Sequence, residues 1–392
     1  MTRPVPIRTT PDNAFAHATM TTRLPRNIRN IIAGHPHWDA SVLSELEALA
    51  QQIESDGPIP PLPLPAWDAD RWEAAREPYR GATWHEVDWF FGETYGFRLI
   101  LSATRYFETG HDPFGPLKQR ELDSGAALEP LLRAEAEARE GADALEAALD
   151  LATWGNRADI SFVAGGDIDA AHGERSLLLV DDAPRVLELA ERGLGEVHII
   201  MDNSGAELAG DLVLASTLMR VHHARVVLHP KFYPTYVSDT TPADIDTFLR
   251  MLASGSETGA RAAGELRRAL ATGDLRLAPD PFWCETGFMT DMPLHISRLL
   301  AGADLIIVKG DFNYRRAMRD TIWTPEVPAA AAMGLAEAPR AEVAELARIP
   351  WLLLRTMKSD CLAGVGAATV ADLDREAPGW RTDGVRALMQ LV

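Results

Sequence analysis

Asp202 and Asn203 stand together where an apolar, β-branched run, Glu196-Val197-His198-Ile199-Ile200-Met201, gives way to a helical pattern over Ala206–Met219. A carboxylate and an amide side by side offer two hard oxygen donors, which suit a divalent cation such as Mg²⁺ or Mn²⁺ better than a soft metal. An ordinary strand-to-helix turn with an Asx cap uses the same two residue types. Asp239, in Tyr236-Val237-Ser238-Asp239-Thr240-Thr241-Pro242, is the best third oxygen ligand, or else the cap of the helix that starts near Pro242. Lys309-Gly310-Asp311-Phe312-Asn313-Tyr314-Arg315-Arg316 follows the apolar run Leu305–Val308. There Lys309 can set a point charge on a phosphate, Gly310 lets a backbone approach closely, and Asp311 or Asn313 can hold a sugar hydroxyl or a water. A basic run that includes Arg315 at the start of a helix opposes the macrodipole and calls for an anion; a polar loop is the plainer reading. Arg355 and Lys358, after Trp351–Leu354, add positive charge at the same rim or simply face solvent. Glu93 lies in the aromatic run Trp89–Phe97, where an ionised carboxylate needs a partner, either Arg98 or a substrate. Asn156 reaches the same crevice or caps the residues from Ala158 onward.

The elements that must carry these residues follow from periodicity. Residues 1–20 read as a flexible tail. Residues 21–151 read as a helical domain, with amphipathic runs at Ser41–Ser55, Asp88–Tyr106 and Leu128–Ala152 and a Pro-rich connector at Gly57–Pro65. From residue 152 to 392 short apolar runs alternate with helices. Ser176–Val180, Val197–Met201, Arg225–Leu228, Asp304–Val308 and Trp351–Leu354 read as strands spaced for crossover helices. The expected fold is α/β: a three-layer α/β/α, doubly wound, mainly parallel sheet with an N-terminal helical domain. Parallel strands present their C-terminal ends on one edge, so five polar tips, from Asp181-Asp182 to Arg355–Lys358, are expected to meet in one crevice.

The totals restrict the function. A chain of 392 residues with 46% hydrophobic and 24% charged residues builds a sizeable core. A net charge of −19 argues against a nucleic-acid partner, and no apolar stretch approaches the length of a membrane span. The two cysteines, Cys284 and Cys361, suit neither a disulfide framework nor a zinc cluster, and no secretory signal is expected; a cytoplasmic setting is the expectation. The histidines, among them His222, His223, His229 and His295, show no metal-ligand spacing. The phosphate loop Gly-x-x-x-x-Gly-Lys-Ser/Thr, the dinucleotide fingerprint Gly-x-Gly-x-x-Gly and the nucleophile elbow Gly-x-Ser-x-Gly are absent.

Motifs spread along the chain resemble the damage-control phosphatase family, in its sugar-phosphate phosphatase and acidic-residue methyltransferase branch. They are Asp202-Asn203-x-Gly-x-Glu207-Leu208 with Asp211-Leu212, Val237-Ser238-Asp239, Lys309-Gly310-Asp311-x-Asn313-Tyr314-Arg315, Arg355-Thr356-x-Lys358, and the pair Trp89-Phe90-x-x-Glu93-x-Tyr95 and Trp154-Gly155-Asn156-x-x-Asp159 in the helical part. The resemblance implies a divalent metal on Asp202, Asn203 and Asp239, often Mn²⁺, Co²⁺ or Ni²⁺ in preference to Mg²⁺, and a small phosphorylated metabolite as substrate. Ser204-Gly205-Ala206 and the residues after Arg316 depart from the family pattern, which bears on the substrate. On this reading Asp202, Asn203, Asp239 and Lys309 carry the chemistry. Glu93, Asn156, Asp311, Asn313, Arg315, Arg355 and Lys358 surround the substrate. The rival readings are an S-adenosylmethionine-dependent protein-glutamate carboxyl methyltransferase, for which no Gly-rich cofactor loop follows the first strand, and a non-catalytic metabolite-binding protein.

Overall fold

The computed structural model describes residues 4–137, 141–158 and 175–392. Its strands are β1 (Leu178–Asp181), β2 (Glu196–Ile200), β3 (Arg225–His229), β4 (Leu275–Leu277), β5 (Leu305–Lys309), β6 (Trp351–Thr356) and β7 (Ala387–Leu391). They form one seven-stranded sheet in the order β1-β7-β6-β5-β2-β3-β4. β6, β5, β2, β3 and β4 run parallel, while β7 is antiparallel to β6 and β1 is parallel to β7.

Alternate residues of each parallel strand face opposite layers. Val197, Ile199, Leu305, Ile307, Leu352 and Leu354 pack on one side against the helices Gly141–Ala158, Ala206–His222 and Pro242–Gly255. Ile200, Ile306, Val308, Trp351 and Leu353 pack on the other side against Leu294–Leu300 and Gly310–Ala317. This is the α/β/α sandwich, and each fully buried Leu or Ile contributes roughly 1.5–3 kcal/mol. A third core, with Leu24, Ile28, Leu46, Ile53, Trp72, Trp84 and Tyr95, holds together the N-terminal helices, including Leu24–Gly34, Ala40–Glu54 and Trp89–Ala103.

Three expectations change. The Asp181-Asp182 tip does not join the crevice: β1 runs against the five parallel strands, and Asp182 instead accepts a hydrogen bond from Leu391 N at the opposite edge. Four of the five expected tips therefore converge. Residues 4–20 are not a free tail, because Ile7, Ala16 and Met20 are buried and Ile7 exchanges backbone bonds with Asp320 and Trp89. The helical part is also not one body, since Leu122, Leu131, Leu145, Leu149 and Ala152 pack into the sheet's core rather than that of the earlier helices. No helix among the described residues is long and apolar enough to cross a membrane.

Candidate functional site

Between β5 and β2 the parallel strand order reverses direction, with β5 followed on one side by β6 and β2 on the other by β3. Such a switch point leaves a crevice at the strands' carboxyl ends. Asp202 and Asn203 enter it just past β2. The loop carrying Asp239 folds back onto this tip: Ser204 N donates to Ser238 O at 2.7 Å, Thr240 N to Asp202 O at 2.7 Å, and Asn203 and Asp239 form an isolated antiparallel bridge. Lys118 Nζ braces the loop by donating to Asp239 O at 2.9 Å while paired with Asp112 and Asp244. Tyr236 and Val237 both hold positive φ, 47° and 72°, a costly conformation for a β-branched residue.

The helix after this loop settles the alternative role of Asp239. Thr241 is the N-cap, in a reciprocal capping box with Asp244, which leaves the Asp239 side chain for the crevice. Asp239 Oδ2 lies 3.2 Å from Lys231 Nζ. Asp202 is buried; its Oδ2 accepts from Asn203 Nδ2 at 3.1 Å, while its Oδ1 has no hydrogen-bond partner among the described residues. Gly310 has φ +77°, and a Cβ built on it would stand 1.9 Å from Asp202 Oδ2. Only glycine lets the start of that helix approach the carboxylate so closely.

Lys309 is placed differently from the expectation that it meets a phosphate. Its buried ammonium is held by Glu207 Oε1 at 3.0 Å and Asp211 Oδ1 at 2.8 Å. Burial works against its charge, but those two carboxylates outweigh it and raise its pKa. The other Glu207 oxygen accepts from Asn203 Nδ2 at 3.0 Å, so Lys309 positions Asn203 through Glu207. Asn313 is likewise a brace, with Nδ2 donating to Met201 O and Lys309 O and Oδ1 facing Lys231 Nζ at 3.3 Å.

The outer residues divide. Arg315 is buried, paired with Glu93 and Asp320 at 2.8 Å each, and stacked 3.4 Å from the Trp89 ring centroid. Glu93 also receives Arg23 at 3.0 Å; its expected partner Arg98 is committed to Asp68. Glu93 and Arg315 thus satisfy each other and tie the helical part to the sheet. Arg355 donates to the carbonyls of Cys361 and Ser359 and lies 3.0 Å from Asp311 Oδ1. Asp311 in turn accepts from Lys358 N and Ser359 Oγ, so Asp311, Arg355 and the backbone of Lys358 form one cluster after β5 and β6. Asn156 lies in the Gly141–Ala158 helix, its side chain outside the described residues, as is Asp159. Three residues escaped the sequence reading: Lys231, which stood in plain view after β3 as His229-Pro230-Lys231, and Glu207 and Asp211, which were visible only as parts of a motif.

Around Asp202 the charges do not balance. Four buried carboxylates, Asp202, Asp239, Glu207 and Asp211, share two ammonium groups, Lys231 and Lys309, leaving two negative charges. Protonation compensates in part. Burial, then the neighbouring Asp239 and Glu207, push Asp202 well above the usual carboxylate range. Burial raises Asp239 to about 6 against the pull of Lys231, and Asp211 to about 7 against that of Lys309. With all four ionised, the missing charge of two beside a buried, unpartnered oxygen fits a divalent cation that displaces those protons. Among the described residues no three His, Cys, Asp or Glu side chains form a ligand group, and the acidic pair has the Asn203 amide beside it. Asn203 Oδ1 accepts from Ser238 Oγ at 2.7 Å and its NH₂ faces the carboxylates; a half-turn of the amide exchanges the two, and a hydroxyl can donate or accept.

The family model for the damage-control phosphatase ARMT1-like domain matches residues 19–373. The chain belongs to this family. Damage-control phosphatase ARMT1 of Danio rerio is 27% identical, aligned over 97% of this chain and 95% of that protein. The proteins of the same name from Mus musculus and Homo sapiens are 26% and 25% identical, each covered over 96% of its length. A crystal structure of a DUF89 family protein from Pyrococcus horikoshii aligns over 91% of this chain and 93% of that one, with a TM-score of 0.47 and 15% identity. As a damage-control phosphatase by family, the chain belongs among phosphate-ester hydrolases. The Asp202 crevice lies within the matched span of the family, as do both bracing lysines.

Proposed function

We propose that the chain is a metal-dependent phosphomonoesterase acting on a small phosphorylated metabolite, a sugar phosphate such as a fructose phosphate. The observation that carries this reading is the excess of buried carboxylates over ammonium groups around the orphaned Oδ1 of Asp202 at the switch point of the sheet. Asp202, Asn203 and Asp239 would hold the cation, with Mn²⁺, Co²⁺ or Ni²⁺ favoured and Mg²⁺ an alternative. When bound, such an ion polarises a phosphoryl oxygen and orients an attacking water.

The rest falls to the chain's own residues. Lys309, Glu207 and Asp211 fix Asn203, and Asn313 fixes the β2 and β5 tips relative to each other. That rigidity is what electrostatic preorganisation demands. The Asp311, Arg355 and Lys358 cluster stands at the carboxyl ends of the adjoining strands β5 and β6, where it would line the place of the hydroxyl and phosphate groups of a sugar phosphate. Phosphate release from fructose phosphates, or from a chromogenic phosphomonoester, with Mn²⁺ or Co²⁺ tests the proposal. Asp202→Ala is expected to abolish turnover, and undiminished turnover by that variant would remove the metal assignment.

A further inference from the structure

Lys231 differs from the other two buried lysines of this region. Lys118 Nζ and Lys309 Nζ each hold two carboxylates. Lys231 Nζ, fully buried, meets one, Asp239 Oδ2 at 3.2 Å. Among the described residues its other side-chain contacts are neutral: Asn313 Oδ1 at 3.3 Å and the face of Phe312, 4.6 Å from the ring centroid. The geometry is enforced from three directions. Lys231 N donates to Thr240 O, tying the residue to the loop that carries Asp239. Asn313 is held by its two carbonyl partners with its oxygen toward the ammonium, and Phe312 precedes it on the same helix.

We propose that Lys231 is a resident counter-ion of the Asp202 and Asp239 pair and sets the affinity of the site for divalent cations by competing with them for Asp239. This rests on the metal-dependent reading of the site. In the metal-free chain the ammonium supplies one of the charges that the buried carboxylates need. A cation arriving at Asp239 must share that oxygen with a positive neighbour at ion-pair distance in a poorly screened interior, which weakens its binding. The neutral contacts with Asn313 and Phe312 give the ammonium somewhere to remain when the carboxylate turns to a metal.

The test is calorimetric titration of Mn²⁺ into the metal-stripped full chain, for wild type, Lys231→Met and Lys231→Arg. Lys231→Met is expected to bind Mn²⁺ roughly tenfold or more tightly than wild type, with a lower Tm when metal-free and a larger Mn²⁺-induced rise in Tm. Lys231→Arg, which keeps the charge, is expected to stay near wild type. A lysine that merely supports the fold would lower Tm without tightening the metal, so equal or weaker Mn²⁺ binding by Lys231→Met overturns the inference, as does equal tightening by Lys231→Arg. If Lys231→Met does not fold without metal, Lys231→Gln provides the same comparison. A wild-type chain that binds neither Mn²⁺ nor Co²⁺ overturns the metal-dependent reading itself, a result distinct from unchanged affinity in the variant.

Discussion

Gly310 and Lys309 are neighbours with opposite demands on substitution. Gly310→Ala places a methyl group where Asp202 Oδ2 stands and forces φ +77° on a residue with a Cβ. Left-handed strain alone costs about 1–2 kcal/mol, and chemical denaturation is expected to show at least that loss, together with loss of phosphatase turnover. Lys309→Met strands two buried carboxylates; removing one side of a buried pair costs about 3–5 kcal/mol. Its expected signature is a large fall in denaturation midpoint, whereas a lysine used only to touch phosphate would leave stability unchanged. The sequence reading singled out Asp202, Asn203 and Asp239 as candidate oxygen donors because that chemistry is carried by residue type. It did not foresee the partners of Lys309, because residue type does not say whether an ammonium faces substrate or a neighbouring helix. Glu207 and Asp211, one helical turn apart on the Ala206–His222 helix, were the cue to its partners. Glu93 and Arg315 were hidden from each other by more than two hundred positions of chain, and only the fold shows that they pair.

At the level of elements, the loop from Thr235 to Thr241 decides the site, since it brings Asp239 to the β2 tip and then starts a helix. Thr241→Ala removes the N-cap and is expected to cost about 1 kcal/mol, read as a shift in denaturation midpoint. The strands themselves make a second prediction. His198 and His229, on the same face of β2 and β3, share a 2.8 Å Nδ1 to Nε2 contact, and His198 Nε2 meets Glu196 Oε1 at 3.1 Å. If His198 donates to Glu196, its Nδ1 accepts from His229 Nε2, and both rings are neutral. Burial holds His198 below its usual pKa and takes His229 from 6.5 to about 3, with the neighbouring ring adding to the effect. A depressed folded-state pKa means that the unfolded chain takes up protons that the folded chain refuses. This contribution is therefore present above 6.5 and lost as the pH falls from there toward about 3. His229 alone is expected to remove roughly 2–3 kcal/mol by about pH 4.5. A double variant, His198→Gln with His229→Gln, should show a shallower loss over this range; an equal slope would contradict the neutral pair. Of the parallel strands, β2, β3, β5 and β6 were legible as apolar runs; β4, Leu275–Leu277, was not, being three residues long with Arg276 at its centre. β7, Ala387–Leu391, was not, since it has no β-branched residue, and without it the reversed direction of β1 could not be inferred.

For the whole molecule, the N-terminal residues belong to the folded assembly. Ile7 and its backbone bonds to Asp320 and Trp89 join the first residues to both the helical part and the sheet. Ile7→Asp is expected to lower Tm through burial of an unpaired charge, while an unchanged Tm would restore the view of residues 1–20 as a free tail. The α/β class and the convergence of strand tips followed from the alternation of runs and helices. The position of the helices from Gly115 onward did not, because an amphipathic helix shows that it has a buried face without showing which core receives it. The central claim is that a divalent cation completes the charge balance at Asp202 and enables phosphate-ester hydrolysis. Its most direct test is phosphate release from a fructose phosphate by the purified wild-type chain, first stripped with a chelator and then resupplied with Mn²⁺ or Co²⁺. The account predicts negligible release from the stripped protein and recovery on adding either ion; full release by the metal-free protein would contradict it.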